Sequence, residues 1–321
     1  MEHRRGSAFM LFMLIFYVIF MMVFSLIVSR FGAEFMVRVF SSPWSIVFRY
    51  LMTFILPLVI WLTVTRCKLA SYLPSKRIDK MNIIFIIFLS IFLQPLMMFI
   101  SGISSLFFPN QASAVVGGMM AQPLWLLILA FAVTPAICEE IIFRGYIQSA
   151  YRHYPFIFVA LINGLFFAII HLSFQQFLYT FAMGIIFAYV VHYSRSIFAG
   201  ILMHFMMNTM QIFLLWWTHI SGVELIPTWG TFYERLSTIM GVGLVALLTT
   251  PCAVILFKSF LSHNRQHNIT HDMQKELLDT PLDVVDESVE APPKPTRLLF
   301  LDPFGIAVVL LFLLIMFLLQ L

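Results

Sequence analysis

Leu124–Gly145 reads LWLLILAFAVTPAICEEIIFRG: a run with no charge up to Ile137, then two adjacent carboxylates, then an arginine. A helix that crosses the hydrocarbon core of a bilayer takes about 20 such residues. Inside it a carboxylate costs about 2.5–3.5 kcal/mol on insertion scales, so two in succession need a reason. Helical spacing supplies part of one, because Glu140 and Arg144 stand at i and i+4 and can pair on one face. Glu139 points roughly 100° away and finds no such partner in its own segment. The stretch reads as a membrane helix with one carboxylate clamped by arginine and one left for chemistry. Its plain structural alternative is a charge cluster that marks where the helix leaves the membrane.

The rest of the 321 residues support a lipid setting: 61% are hydrophobic and 11% charged, with 36 Phe and 20 Met. Soluble domains carry about 25% charged residues. Cys67, Cys138 and Cys252 are scattered and odd in number, which suggests neither a disulfide framework nor a thiolate metal site. The start, Met1 to Arg5 followed by an apolar stretch from Ala8 to Val28, resembles a signal peptide. That stretch exceeds the 7–15 residues typical of a signal sequence and lacks a small-residue cleavage site, so an uncleaved first membrane helix is expected.

Apolar stretches of spanning length lie near 9–28, 44–65, 82–100, 123–144, 156–172, 176–193, 197–218, 236–257 and 304–321. The expected fold class is all-α, a polytopic membrane helical bundle of about eight or nine transmembrane helices with a polar cavity between them. Pro57, Pro95 and Pro251 fall inside spans and are expected to kink them. Arg66, Lys68, Lys76, Arg77 and Lys80 make 66–80 the densest basic loop, which places it in the cytoplasm. The alternation that follows puts the N-terminus inside, 101–122 outside, Arg144, Arg152 and Arg195 inside, and the C-terminus outside. The expected localisation is integral to a membrane. The organisation reads as N-terminal helices over 1–110, a core over 120–218, a further helix over 219–257, a polar linker over 258–303 and a last helix over 304–321. The linker is expected to be mobile, being too polar to bury a core. His263, His267 and His271 recur within it every four residues, a spacing that binds metal only rarely on a solvated helix.

After the carboxylates, ionisable residues return to the apolar spans at His171, which closes Phe167-Ala-Ile-Ile-His171, and at His204 in His204-Phe-Met-Met-Asn208. His204 and Asn208 share a helical face. A lone histidine on an apolar helix is more often a packing residue than a catalyst. Two histidines, an amide and two carboxylates on three spans imply a shared polar cavity. A transporter or channel could use such a cavity for protons, although its site usually lies at the midplane. Peptide hydrolysis would use it differently, with Glu139 as general base, His171 orienting water or protonating the leaving amine, and His204 and Asn208 polarising the scissile carbonyl. Counting residues puts Glu139 and His204 at similar depth but leaves His171 too deep. The expected remedy is an interfacial segment from Tyr146 to Phe158 that starts the fifth span later.

Glu139-Glu140-x-x-x-Arg144, Phe167-x-x-x-His171 and His204-x-x-x-Asn208 resemble, in order, the three motifs of the CPBP family, the CAAX-type intramembrane endopeptidases and bacteriocin-processing or immunity (ABI) proteins. The Glu-Glu-x-x-Phe-Arg-Gly form at 139–145 looks like its bacterial branch, which implies a bacterial plasma membrane. The resemblance covers roughly 120–212. It implies an intramembrane endopeptidase whose catalytic positions fall on Glu139, Glu140, Arg144, His171, His204 and Asn208. It also implies a peptide or protein substrate at the lipid bilayer, lipidated at its C-terminus or not, and no nucleic acid. A non-catalytic scaffold or immunity protein of the same family is the alternative. A divalent metal, zinc, would take His171, His204 and Glu139 as ligands. The chain lacks HExxH, and a metal-free glutamate mechanism is favoured slightly on chemical grounds, although the family is described both ways.

Overall fold

A computed structural model describes residues 2–40, 42–222, 231–279 and 302–318. Each apolar stretch forms a helix. These are α1 (Glu2–Phe40), α2 (Pro43–Thr65), α3 (Lys80–Ser105), a short α4 (Gln111–Gly117), α5 (Leu124–Ala150), α6 (Phe156–Ile170), α7 (Phe174–Ser194), α8 (Ile197–Ser221), α9 (Phe232–Asp279) and α10 (Pro303–Leu318). Seven of them are long and apolar enough to cross a membrane, while α6 and α10 are shorter apolar helices. Among the described residues the backbone is helical apart from turns and one isolated bridge, Ser75 with Ser196. This is an all-α integral membrane protein. Leu244, Leu247, Leu248 and Ile255 of α9 face outward, as lipid requires of a membrane helix.

Side-chain caps set several helix starts. Asp79 accepts from the Asn82 N–H at 2.7 Å, Asn110 from Ser113 at 3.0 Å and Ser173 from Gln176 at 3.3 Å. Pro57 and Pro135 act differently. A proline has no N–H and crowds the carbonyl four residues back, and just ahead of these two the helix widens to π turns, Leu51–Ile55 in α2 and Leu129–Val133 in α5. A third π turn, Ile141–Ile147, begins at the residue after Glu140. Such insertions frequently mark functional sites in helices. Pro95 and Pro251 lie inside continuous α-helix.

Three apolar clusters surround α5. The first joins Phe9, Met10 and Leu14 of α1 to Phe143, Tyr146 and Ile147 of α5, to Phe166 of α6 and to Phe312 of α10. The second joins α3, α7, α8 and α9 through Leu89, Phe187, Met203 and Phe260. The third closes α4 and α8 over Leu127 and Ala130. Helices α6 and α7 cross so closely that a Cβ on Gly184 would lie 2.7 Å from the Gly164 Cα, so that contact is open only to glycine.

Polar contacts sort the helix ends into two sets. At one end the Ser7 hydroxyl meets the Tyr151 hydroxyl and the Asp302 carboxylate, and Ser149 donates to the Tyr72 carbonyl. At that same end the Lys76 N–H reaches the Arg195 carbonyl and the Lys76 ammonium reaches Asn268. At the other end Gln175 donates to Ser101, Phe108 packs on Phe174, and Arg235 donates to the Ser105 carbonyl. The alternation expected from sequence has this same grouping of ends.

Two expectations are corrected. The linker does not begin at 258, because α9 runs on to Asp279. Asn264 is buried there, its amide exchanging two hydrogen bonds with Asn82 at 2.7 and 3.0 Å, so this polar stretch docks on α3. His263 is engaged by Asp79 at 3.4 Å and His267 by Lys76 at 3.2 Å, and among the described residues they belong to no group of three that could hold a metal. The His271 side chain and residues 280–301 lie outside the described residues. Nor does Tyr146 to Phe158 lie along an interface: α5 stays helical to Ala150, with Tyr146 and Tyr151 buried at 0% and 1% exposure.

Candidate active site

The sequence-expected residues come from α5, α8 and the end of α6, and they meet. Glu140 is fully buried, and its Oε1 accepts from Arg144 Nη1 at 2.8 Å and from His204 Nδ1 at 2.9 Å. A buried ion pair is held best when its remaining groups are also satisfied. Arg144 Nε and Glu140 Oε2 have no hydrogen-bond partner among the described residues, but the guanidinium is held in two further ways. Its Nη2 donates to the Gly184 carbonyl at 3.1 Å, and its guanidinium lies over the Phe167 and Phe187 rings at 4.4 and 5.0 Å. One turn on, Gln148 repeats the reach to α7, donating to the Ala188 carbonyl. Glu140 and Arg144 thus tie α5, α7 and α8 together. Gly200 makes room for this on α8, since a Cβ there would lie 2.7 Å from Glu140 Oε2 and 2.5 Å from Val191. Gly200→Ala is expected to cost about 1–3 kcal/mol by overpacking, read as a lowered Tm of the purified protein in detergent.

Glu139 is placed otherwise. It is 2% exposed, its Oε2 has no hydrogen-bond partner among the described residues, and it lines a cavity of about 340 Å³. His171, His204 and Asn208 line the same cavity, whereas Glu140 and Arg144 lie behind its wall. His204 Nε2 stands 3.8 Å from Glu139 Oε2, beyond hydrogen-bonding distance, so both atoms can take a further partner. A carboxylate only accepts, so His204 Nδ1 carries the proton given to Glu140 and Nε2 faces Glu139. By the same logic His171 Nδ1 donates to the Phe167 carbonyl at 2.7 Å, leaving Nε2 as its other polar atom. The Phe167 ring meets His171, His204 and Arg144 together, which makes it the wedge that sets both imidazoles.

Asn208 has a structural duty that its spacing did not suggest. Pro135 leaves the carbonyl of Phe131 without its helical donor, and Asn208 Nδ2 supplies one at 3.2 Å. One amide hydrogen of Asn208 is then left for the cavity.

The sequence reading missed the opposite wall. Arg49, Tyr50 and Thr53 of α2 line the cavity together with Glu139. Their signal was Arg49, a charge inside the second apolar stretch. Gln111 and Val115 of α4 and Tyr179 of α7 complete the lining.

As ligands for zinc the expected set does not fit as it stands. Among the described residues no three His, Cys, Asp or Glu side chains stand close enough together to hold a metal ion.

Residues 121–210 match the family described as type II CAAX prenyl endopeptidase Rce1-like. A protein of Bacillus subtilis (strain 168) named "Putative membrane peptidase YdiL" is 33% identical over 106 residues. That match covers 33% of this chain and 43% of the relative, so the chain spans less than half the length of the curated protein it resembles. No solved structure matches.

Proposed function

We propose that this chain, whose residues 121–210 match the Rce1-like family, hydrolyses a peptide bond within the membrane using water activated by Glu139. One observation carries the reading. Of two adjacent buried carboxylates, each with an unpartnered Oε2, Glu140 is engaged through Oε1 by Arg144 and His204 and lies outside the cavity lining, while Glu139 lines the cavity beside two imidazoles.

In this mechanism Glu139 takes a proton from water as the water oxygen attacks the scissile carbonyl carbon. His171 Nε2, its Nδ1 proton engaged by Phe167, accepts from that water and orients it. The oxyanion that forms accepts from the remaining amide hydrogen of Asn208 and, when its imidazole is protonated on both nitrogens, from His204 Nε2. Glu139 returns the proton to the amide nitrogen as the C–N bond breaks, giving a carboxylate product and an amine. The reaction needs no metal in this scheme.

The test is cleavage in proteoliposomes. Wild type and Glu139→Ala are incubated with lipidated and unlipidated C-terminal peptides, and products are read by mass spectrometry. Cleavage by wild type alone supports the proposal and names the substrate class. Silence from folded wild type across the set moves the assignment to a scaffold or immunity protein. Metal-free chemistry predicts unchanged turnover after exhaustive chelation; stoichiometric zinc lost together with activity would overturn that part.

Ion-coupled transport stays in play for a specific reason. Glu139 lies 15 residues after Leu124 and 11 before Ala150, near the middle of α5 rather than close to one face as residue counting suggested. Midplane sites are usual in transporters. Glu139→Gln that alters ion flux and leaves no proteolysis to lose would decide for transport.

A further inference from the structure

A cation inside an apolar span is expensive and faces a partner or a polar cavity. Arg144 has Glu140 as its partner, and Arg235 donates to the Ser105 carbonyl. Arg49 is different. It stands in α2, six residues past Pro43, between the apolar Phe48 and Tyr50. Among the described residues its guanidinium makes neither a hydrogen bond nor an ion pair. Its neighbours at i−4 and i+4, Ser45 and Thr53, are neutral, and the Thr53 hydroxyl donates to the Arg49 carbonyl at 2.7 Å. The half-buried side chain lines the Glu139 cavity instead.

Of the residues that line this cavity, Arg49 is the one Lys or Arg and Glu139 the one Asp or Glu. They do not pair, and the ion-pairing group near Glu139 Oε2 is His204 Nε2 at 3.8 Å. The cavity thus carries opposite charges on separate walls, α2 and α5. Gln111 of α4, Gln176 of α7 and Gln211 of α8, which also line it, are neutral. A peptide carboxylate that enters is drawn to Arg49 and repelled by ionised Glu139, so the field fixes which way round the peptide lies. The guanidinium fork matches a carboxylate with two parallel donors.

We infer that Arg49 is a specificity-determining residue: it holds a carboxylate of the peptide, at the C-terminus or on an Asp or Glu side chain, while Glu139 acts on a bond a few residues away. Cavity size sets that separation. At about 340 Å³ it is at the small end of ligand pockets, with room for a few extended residues of about 3.3–3.6 Å each. The inference rests on Glu139 serving as the base of a peptidase. Arg49 lies outside residues 121–210, so this preference belongs to the part of the chain that the family match does not cover. Lipid phosphate is the competing partner, because Arg49 is about 9 Å along α2 from Pro43 at 1.5 Å per residue and an arginine stem can carry its head to the interface.

The test uses the full chain in phosphatidylcholine proteoliposomes and three peptides of one sequence. The first has a free C-terminus and no acidic side chain, the second is C-terminally amidated with a single Asp at scanned positions, and the third is amidated and uncharged. Within each enzyme, kcat/KM for an acidic peptide is divided by that for the uncharged one. The wild-type ratio is expected at about ten- to a hundredfold, the worth of one charge-assisted pair, and carried mainly by KM. Arg49→Gln brings it near one. Arg49→Lys, which keeps the charge without the fork, restores part of it. Whichever acidic peptide shows the ratio names the carboxylate. A wild-type ratio near one overturns the inference and leaves the peptidase reading standing. So does equal loss on all three peptides in Arg49→Gln, the result expected of a lipid-anchored structural residue. Binding supplies an independent arm: labelled acidic and uncharged peptides are titrated onto Glu139→Gln and read by anisotropy. Acid-selective binding that Arg49→Gln abolishes, with no peptide cleaved by wild type, would overturn the peptidase reading and leave the carboxylate site. Binding without acid preference overturns the site itself.

Discussion

Glu139→Gln is expected to reduce peptide cleavage by about 10²–10⁴-fold in kcat, the range that a general base contributes. The substitution keeps shape and removes the charge. The nearest cationic group to Glu139, His204 Nε2, stands at 3.8 Å, beyond hydrogen-bonding distance, and Oε2 is unpartnered, so little packing depends on ionisation. Removing an unpaired charge from a buried wall costs no stability, because a lone buried ion is itself expensive. Unchanged Tm with abolished turnover is therefore the expected pair of results, from thermal unfolding in detergent and single-turnover cleavage. Retained turnover would remove Glu139 from the chemistry. Equal loss of Tm and activity would make it a structural residue.

The second large effect lies one residue away and has the opposite signature. Arg144→Met should destabilise by about 3–5 kcal/mol, because it leaves the Glu140 charge buried without its guanidinium. Glu140→Gln should act similarly through an uncompensated Arg144. Replacing both, Glu140→Leu with Arg144→Met, should recover much of that stability, since well-packed apolar residues often substitute for a buried ion pair at little cost. Activity should not return with it. His204 Nδ1 would have lost its acceptor at 2.9 Å, and with it the constraint that turns Nε2 toward Glu139. Urea or thermal unfolding measures the first quantity and kcat the second. A double variant that regains both would show that Glu140 serves stability alone.

Adjacent in sequence, Glu139 and Glu140 therefore differ in kind, and part of that difference was legible without coordinates. The i, i+4 relation of Glu140 to Arg144 follows from helical period alone, as does the sharing of a face by His204 and Asn208. The apolar stretches located every long helix, because spanning a bilayer imposes both length and composition. Basic loops likewise foretold which helix ends group together, since they follow from the parity of crossings.

Depth was not legible. Counting residues from loop to carboxylate assumed that α5 ends shortly after Arg144, whereas it continues buried to Ala150 and holds Glu139 near its middle. Tyr146 and Tyr151 suggested an interface by composition but are core residues, their hydroxyls satisfied by Trp61 and Ser7 across the bundle. The polar residues 258–279 suggested a mobile linker for the same reason, composition without context. Asn264 finds its partner Asn82 from a helix 182 positions away.

By itself the sequence determined an all-helical membrane protein, the positions of its apolar helices, and the residue types of the site, because these depend on local period and on the cost of charge in lipid. Among the described residues seven helices, not eight or nine, are long enough to span. Only the tertiary structure showed that His204 joins Arg144 on Glu140 and that Glu139 faces the cavity. It alone showed that Asn208 answers the carbonyl that Pro135 exposes and that α2 brings Tyr50 into the cavity lined by Glu139. Each of these depends on which helix packs against which, and that is set by contacts between residues far apart in the chain.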